Sequence, residues 1–204
     1  RGLHAIDRQR QLFSRTFDYP LADSPEVFGI ESDPVDSQRI CILAHGTTWV
    51  TKHWPEPMWI VLSRELGRRG YEVVLPVGND VEARRARRIA DASEARVLAQ
   101  STLADLIDKL ANAALVVGVD SGLSHLAAAL GRPTNTLYGA TDPVLTGARG
   151  RRALSLQAQF VCAPCRSKLC GYRGETQHWR QQQVQPACFS TLTPDQVLQA
   201  VEVL

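Results

Sequence analysis

No stretch of this sequence approaches the roughly 20 consecutive apolar residues of a membrane-spanning helix. It carries no excess of one charge either. Its 23 Lys and Arg against 21 Asp and Glu leave a formal net charge of +2 at pH 7, in a chain of 204 residues. That balance makes no case for a nucleic-acid-binding protein. Basic residues cluster only locally, at Arg84-Arg85 with Arg87-Arg88 and at Arg149-Gly-Arg-Arg152. Solvated helix faces account for such clusters as well as an anionic membrane surface does. The chain lacks both GxGxxG and the GxxxxGK motif of P-loops, so ordinary dinucleotide and nucleotide-triphosphate readings lack their core glycines, and an NAD-dependent oxidoreductase is disfavoured. The cysteines number five, an odd count that argues against a disulfide framework. No internal repeat or secretory signal is visible. The first residue is Arg1 rather than Met, which reads as a piece of a longer protein, so the missing signal carries no weight.

Hydrophobic content of 44% and charged content of 22% are those of a globular domain. HAIDRQRQLFSRTF (4–17) has the spacing of an amphipathic helix, with Ile6, Leu12, Phe13 and Phe17 apolar. Residues 19–37 are rich in Pro and acid, without a sustained period, and read as a linker. From Arg39 onward short β-branched or apolar runs alternate with helical patterns. ICILAHG, YEVVLPVG, ARVLA, LVVGVD and TNTLYG read as strands. Residues 56–70, 80–92, 102–113 and 121–131 read as the helices between them, and 193–203 as a C-terminal helix with Thr193 as N-cap and Pro194 in its first turn. Strands alternating with helices predict an α/β fold, a Rossmann-like doubly wound parallel sheet. The expected organisation is a helix and linker over 1–38, a Rossmann-like domain over 39–145, and a Cys-containing loop with a terminal helix over 146–204.

In an open parallel sheet, ligands bind beyond the carboxyl ends of the strands, where the strand order reverses. Strands one and four meet there, and their exits are the two most polar in the chain: HGTTWVTKHWP (45–55) and VDSGLSHL (119–126). Gly122 is expected to let the chain turn sharply into a helix whose free N–H groups attract a diphosphate. His125, one turn in, can donate a further hydrogen bond. Asp120 repels phosphate, and can instead accept from a sugar hydroxyl, hold a cation or brace the turn. The same spacing is met if Asp120 is a helix cap and His125 a packed residue. Thr47 and Thr48 offer hydroxyls, and Lys52 a mobile charge for a phosphate or a leaving group. A solvated loop lysine is the plain alternative. Trp54-Pro55 reads as structural, and His53 is undecided. Glu82, at the third exit, can take ribose hydroxyls or simply favour a helix start. Thr141, after the fifth strand, is within reach of a ligand.

HGTTWVTKHWP, LPVGNDVEARRA, VVGVDSGLSHLAAALGRPTNTLYGATDP and the early HAIDRQRQLF together resemble the lipopolysaccharide heptosyltransferases of glycosyltransferase family 9. The resemblance runs over roughly residues 4–145. It implies a GT-B enzyme of two Rossmann-like halves, which moves L-glycero-D-manno-heptose from ADP-heptose to Kdo of the lipopolysaccharide inner core with inversion. It implies no cofactor and no built-in metal. Carried over, Thr47, Thr48 and Lys52 contact the phosphates and sugar, Glu82 the ribose and Asp120 the heptose. Gly122, Leu123 and His125 line the diphosphate, and Lys52 is the one catalytic candidate, through stabilisation of the leaving ADP. The family's general base belongs to an N-terminal domain for which nothing before Arg39 is long enough. The chain is therefore expected to be a donor-binding half that does not transfer sugar alone. A Kdo-lipid A acceptor would reach it through the missing domain, at the cytoplasmic face of the bacterial inner membrane, with peripheral association and no nucleic-acid partner. KHWP and HAIDRQRQLF favour enzymes adding the first heptose over those adding the second. A non-catalytic nucleotide-sugar binding module is the rival of another class. Cys41 reads as a core residue. Cys162, Cys165, Cys170 and Cys188 have a spacing loosely compatible with zinc, but free or oxidised cysteines in a loop are the preferred reading and no metal is expected.

Overall fold

The computed structural model describes residues 2–22, 24, 26–30 and 39–204. The expected linker therefore falls in part outside the described residues. The five expected strands form as β1 (Ile40–Ala44), β2 (Glu72–Leu75), β3 (Arg96–Val97), β4 (Leu115–Val119) and β5 (Thr134–Tyr138). A further strand, β6 (Ala153–Gln157), was not expected. Its residues are all half-buried at the sheet edge, so it lacks the continuous apolar run that marks a central parallel strand. The six strands pair in parallel in the order β3-β2-β1-β4-β5-β6. A separate two-stranded hairpin, β7 (His178–Trp179) with β8 (Gln182–Gln183), follows.

The helices are α1 (Ala5–Thr16), α2 (Glu56–Arg68), α3 (Asp80–Asp91), α4 (Leu103–Ala111), α5 (Gly122–Ala129), α6 (Pro143–Thr146) and α7 (Pro194–Val201). Their starts are written in the sequence. Asn79 caps α3, Thr102 and Asp105 form a capping box at α4, and Thr193 and Gln196 form another at α7. Alternating strand residues feed two cores. Cys41, Leu43, Val73, Leu75, Val117 and Leu137 meet Met58, Trp59, Leu62 and Leu66 of α2, Ile89 of α3 and Val197 of α7. On the opposite face Ile42, Val74 and Val116 meet Leu110 of α4 and Ala127 of α5. The sheet is thus covered on both faces, as a parallel sheet requires.

The sheet and its larger core continue past residue 145. β6 extends the sheet, while Phe189, Leu192, Val197 and Leu198 join the α2 core. Gly139 is needed there, because a Cβ would lie 2.7 Å from the Phe189 ring. At the other end, α1 buries none of its residues. It is held instead by polar contacts: His4 Nε2 with the Gly147 carbonyl at 3.0 Å, and Arg149 with Asp7 at 2.7 Å and with Glu26. Arg149 belongs to the second of the local basic clusters, for which a solvated face and an anionic membrane surface are equally open readings. It is an anchor, because two carboxylates from the N-terminal segment converge on its planar fork. Leu12, Phe13 and Phe17 stay more than half exposed.

Candidate functional site

β1 and β4 lie side by side, with Ala44 opposite Gly118, so their exits open into one crevice where the strand order reverses. A cleft of about 620 Å³ occupies it, and its lining includes Thr47, Thr48, Lys52, Glu82, Asp120, Gly122, Leu123 and His125. The fold thus gathers these eight residues at one opening, whereas Thr141 is not among the lining residues.

The β4 exit is built from local contacts. Gly118 lets α5 approach the sheet, since a Cβ there would lie 2.2 Å from Ser124 Oγ and 2.8 Å from the Ala44 Cβ. Ser124 Oγ donates to the Val119 carbonyl at 2.7 Å and locks the turn. The N-cap position is Ser121, not Asp120, and no side chain caps the helix. The first N–H groups of α5 are left to water or a ligand. Gly122 corrects an expectation: it is not among the glycines with positive φ, so the turn does not depend on its freedom. A Cβ there would meet nothing within 4 Å, and its absence leaves the helix start open to close approach.

Asp120 is the hub. One carboxylate oxygen takes the Lys52 ammonium at 2.8 Å and the other takes His125 Nε2 at 3.1 Å. It does hold a cation, but the cation is the chain's own lysine. Burial alone would raise its pKa; hydrogen bonds from His125 and Lys52, with the Thr141 hydroxyl nearby, outweigh that and lower it to about 2. Thr141 is buried, makes no hydrogen bond of ordinary geometry, and is not among the cleft-lining residues. His125 spends one ring nitrogen on the Asp120 carboxylate. With Asp120 ionised, Nε2 donates to it, which leaves only the acceptor Nδ1 free on a neutral ring. A neutral His125 in this position cannot donate to phosphate; an imidazolium can.

The β1 exit is held from a distance. Thr47 Oγ1 donates to the Asp120 carbonyl at 3.3 Å, and Thr51 Oγ1 to the Ser167 carbonyl at 2.6 Å. Lys52 Nζ sits 4.7 Å from the centre of the Trp49 ring, with Lys168 Nζ at 5.3 Å from the same ring. With its side chain 17% exposed, Lys52 is not the solvated loop lysine of the plain alternative. Trp54 is fully buried, donates to the Leu192 carbonyl at 2.9 Å and packs edge-on against Trp59. It is structural, as the sequence suggests.

Helix α3 closes the third side. The Glu82 carboxylate accepts from Gly78 N–H at 2.8 Å and lies against Gly46, where a Cβ would come within 2.6 Å of it. Arg85 contradicts the solvated-face reading of its cluster. Its side chain is only 12% exposed, and it donates to His53 Nδ1 and to the Trp54 carbonyl. His53 faces this arginine and does not line the cleft. Sequence reasoning missed the apolar wall formed by Pro76, Val77, Leu103, Leu106 and Leu126. Its residues come from the β2 exit and from α4 and α5, and Leu103, at the start of α4, is 65% exposed.

Among the described residues no group of three or more His, Cys, Asp or Glu side chains is arranged to hold a metal ion. Cys41 is in the core, and the tail cysteines are free thiols. Burial first, and then the thiols of Cys162, Cys165 and Cys170, push Cys188 up to about 12. Among the described residues no helix is long and apolar enough to cross a membrane.

Comparison with known proteins fits this geometry. The chain is 42% identical over its whole length to lipopolysaccharide heptosyltransferase 1 of Pseudomonas aeruginosa, of which it covers 59%. Two solved structures of the Escherichia coli heptosyltransferase WaaC superpose on the entire chain. The one with ADP gives a TM-score of 0.75 at 31% identity, with 57% of that protein covered. The one with ADP-2-deoxy-2-fluoro heptose gives 0.74 at 30% identity, with 56% covered. The chain thus spans somewhat more than half the length of these relatives. The family model described as glycosyltransferase family 9 (heptosyltransferase) matches residues 1–175. A doubly wound sheet whose polar exits meet at the switch point, with this sequence likeness along the whole chain, belongs to glycosyltransferase family 9, the heptosyltransferases.

Proposed function

We propose that this chain is the donor-binding half of a heptosyltransferase that moves L-glycero-D-manno-heptose from ADP-heptose to Kdo of the lipopolysaccharide inner core, with inversion. The observation that carries the reading is the single cleft at the β1 and β4 exits. It joins an uncapped helix start, a lysine and two threonines on one side to an apolar wall on the other. That combination suits a diphosphate attached to a planar base.

In this reading the diphosphate lies against the start of α5, near Gly122 and Leu123. Thr47, Thr48 and Lys52 contact it from the facing loop, and Glu82 takes the ribose hydroxyls. The base rests on Leu103 and Leu106. Asp120, whose two oxygens already hold Lys52 and His125, orients both and presents its remaining lone pairs to the heptose. When the anomeric bond breaks, negative charge grows on the departing ADP. Lys52 and the helix N–H groups meet that charge without reorganising, which lowers the barrier. The base that deprotonates the acceptor hydroxyl belongs to a further domain, as does the Kdo-lipid A contact, so this chain alone does not turn over. The complete enzyme would work at the cytoplasmic face of the inner membrane, associated peripherally.

Calorimetric titration tests this. ADP and ADP-heptose should bind and UDP-glucose should not. Lys52→Ala should weaken ADP about 10- to 100-fold, the worth of one charge-assisted phosphate contact. Equal binding of UDP-glucose, or a folded chain that ignores ADP, would overturn the donor assignment. Full sugar transfer by this chain alone would overturn the claim that it is half of a site.

A further inference from the structure

Helix α3 touches the loop between β1 and α2 at both of its ends. Glu82 lies against Gly46 where the loop begins. Arg85, one helical turn later, reaches the loop's end. One guanidinium nitrogen donates to His53 Nδ1, another to the Trp54 carbonyl, and Nε lies 3.9 Å from Glu56 Oε1. Arginine has no acceptor, so His53 must accept through Nδ1 and keep its proton on Nε2. Between these two fixed points lie Thr47, Thr48 and Lys52.

A buried arginine is a costly way to fasten a loop. Taking a guanidinium out of water is unfavourable unless it is well paired. Here the carboxylate partner stands at 3.9 Å, Nε has no hydrogen bond, and Glu56 gives its short contacts to Arg88 instead, at 2.6 and 2.9 Å. The surroundings are arranged to tolerate the charge. His45, just after β1, is fully buried, and neither ring nitrogen makes a hydrogen bond of ordinary geometry. Burial, and then Arg85, push it down to about 4, so it stays neutral. His53 is lowered for the same reasons. Two imidazoles kept uncharged beside one buried guanidinium make a polar, water-excluding seat. An apolar residue of similar length would fasten α3 to α2 without that desolvation, but it could not hold the loop backbone at a fixed height above the sheet.

We infer that Arg85 is a positioning residue, which sets the height of the loop carrying Thr47, Thr48 and Lys52 against the helix carrying Glu82 and so fixes the spacing between the diphosphate and ribose contacts. The inference rests on the nucleotide-sugar reading of the cleft only for its effect on binding; the clamp itself does not depend on the ligand. Arg85 touches no substrate. It acts through His53 and the Trp54 carbonyl.

The experiment compares wild type, Arg85→Met and Arg85→Lys by amide hydrogen exchange, thermal melting and calorimetric titration with ADP. The expected result is faster exchange confined to residues 46–54 in both variants, with exchange in the β-strands unchanged. ADP dissociation constants should rise about tenfold in Arg85→Met. Lysine keeps the charge but cannot reach both acceptors at once, so Arg85→Lys should lie between the two. Loop exchange as slow as in wild type, in whichever variant folds, overturns the clamp. Uniformly faster exchange across the whole domain also overturns it, because that is what a merely structural residue would produce. If the loop loosens and ADP affinity stays within twofold of wild type, the spacing role is wrong. If wild type itself ignores ADP, the nucleotide reading fails while loop exchange still decides the clamp.

Discussion

The two strand exits that meet in the cleft are held in opposite ways. The turn after β4 is secured by neighbours in sequence: Ser124 to the Val119 carbonyl, with Gly118 making room for it, and His125 to Asp120. The loop after β1 is secured by strangers. Its partners are Asp120, Ser167, Leu192 and Arg85, each at least 31 residues away. A locally built turn closes early at little entropic cost, whereas a loop assembled from four distant segments exists only once the whole domain has folded. The locally built exit therefore offers the helix N-terminus, and the assembled one offers a lysine already paired with Asp120.

Substitutions can break each half of this contrast in turn. The largest effect is expected at Trp54, where the distant loop meets the core. Trp54→Ala removes a fully buried ring and leaves the Leu192 carbonyl without its donor. It should cost about 3–5 kcal/mol in urea unfolding, and a loss under 1 kcal/mol would mean that the loop does not hang from this residue.

Asp120 joins the two exits, and acid separates them. Its native carboxyl titrates below the unfolded value of 3.8, at about 2. As the pH falls, the unfolded chain takes up the proton first, so the stabilisation is complete above pH ~4 and disappears on the way to pH ~2. Wild type should lose about 2 kcal/mol more than Asp120→Asn across that window. Parallel acid titrations of the two proteins check this, since other lowered carboxylates cancel in the difference. Identical acid profiles would show that the exits are not joined through this group.

Smaller effects separate local from distant support. Ser124→Ala should cost about 1 kcal/mol, through the unsatisfied Val119 carbonyl, and exchange should quicken at 119–125 but not at 46–52. Loosening of both exits together would abolish the distinction drawn here. Lys168→Ala removes one exposed cation from the Trp49 ring and should change stability by no more than about 0.5–1 kcal/mol. Its trace should appear in Trp fluorescence rather than in the melting temperature.

The same contrast explains what could be read in advance. Strands β1, β2 and β4 were legible because central parallel strands carry continuous apolar runs, β3 and β5 because they fall between helical patterns, and helix starts at Asn79, Thr102 and Thr193 because a cap is a local chemical event. Edge strand β6 was not, since half-buried positions leave no such run. Arg85 looked like part of a solvated helix face, and Arg149 like any member of a local basic cluster, because nothing local marks the one arginine in a run whose partners lie elsewhere. Sequence could name the residues at the two polar exits, but not that one ring nitrogen of His125 is taken by a hydrogen bond to Asp120. It also credited Gly122 with a turn that Ser121 makes in ordinary extended geometry.

What the sequence determined by itself was periodicity and punctuation: which segments are strands or helices, and that the chain's polar chemistry sits at the carboxyl ends of strands one and four. Only the tertiary structure decided who faces whom. Lys52 meets Asp120, Arg85 meets His53, and Leu103 turns outward into an apolar wall. The reason is range: caps, turns and apolar periods act within a few residues, while ion pairs and cleft walls depend on a strand order that brings residues 52 and 120 to one opening.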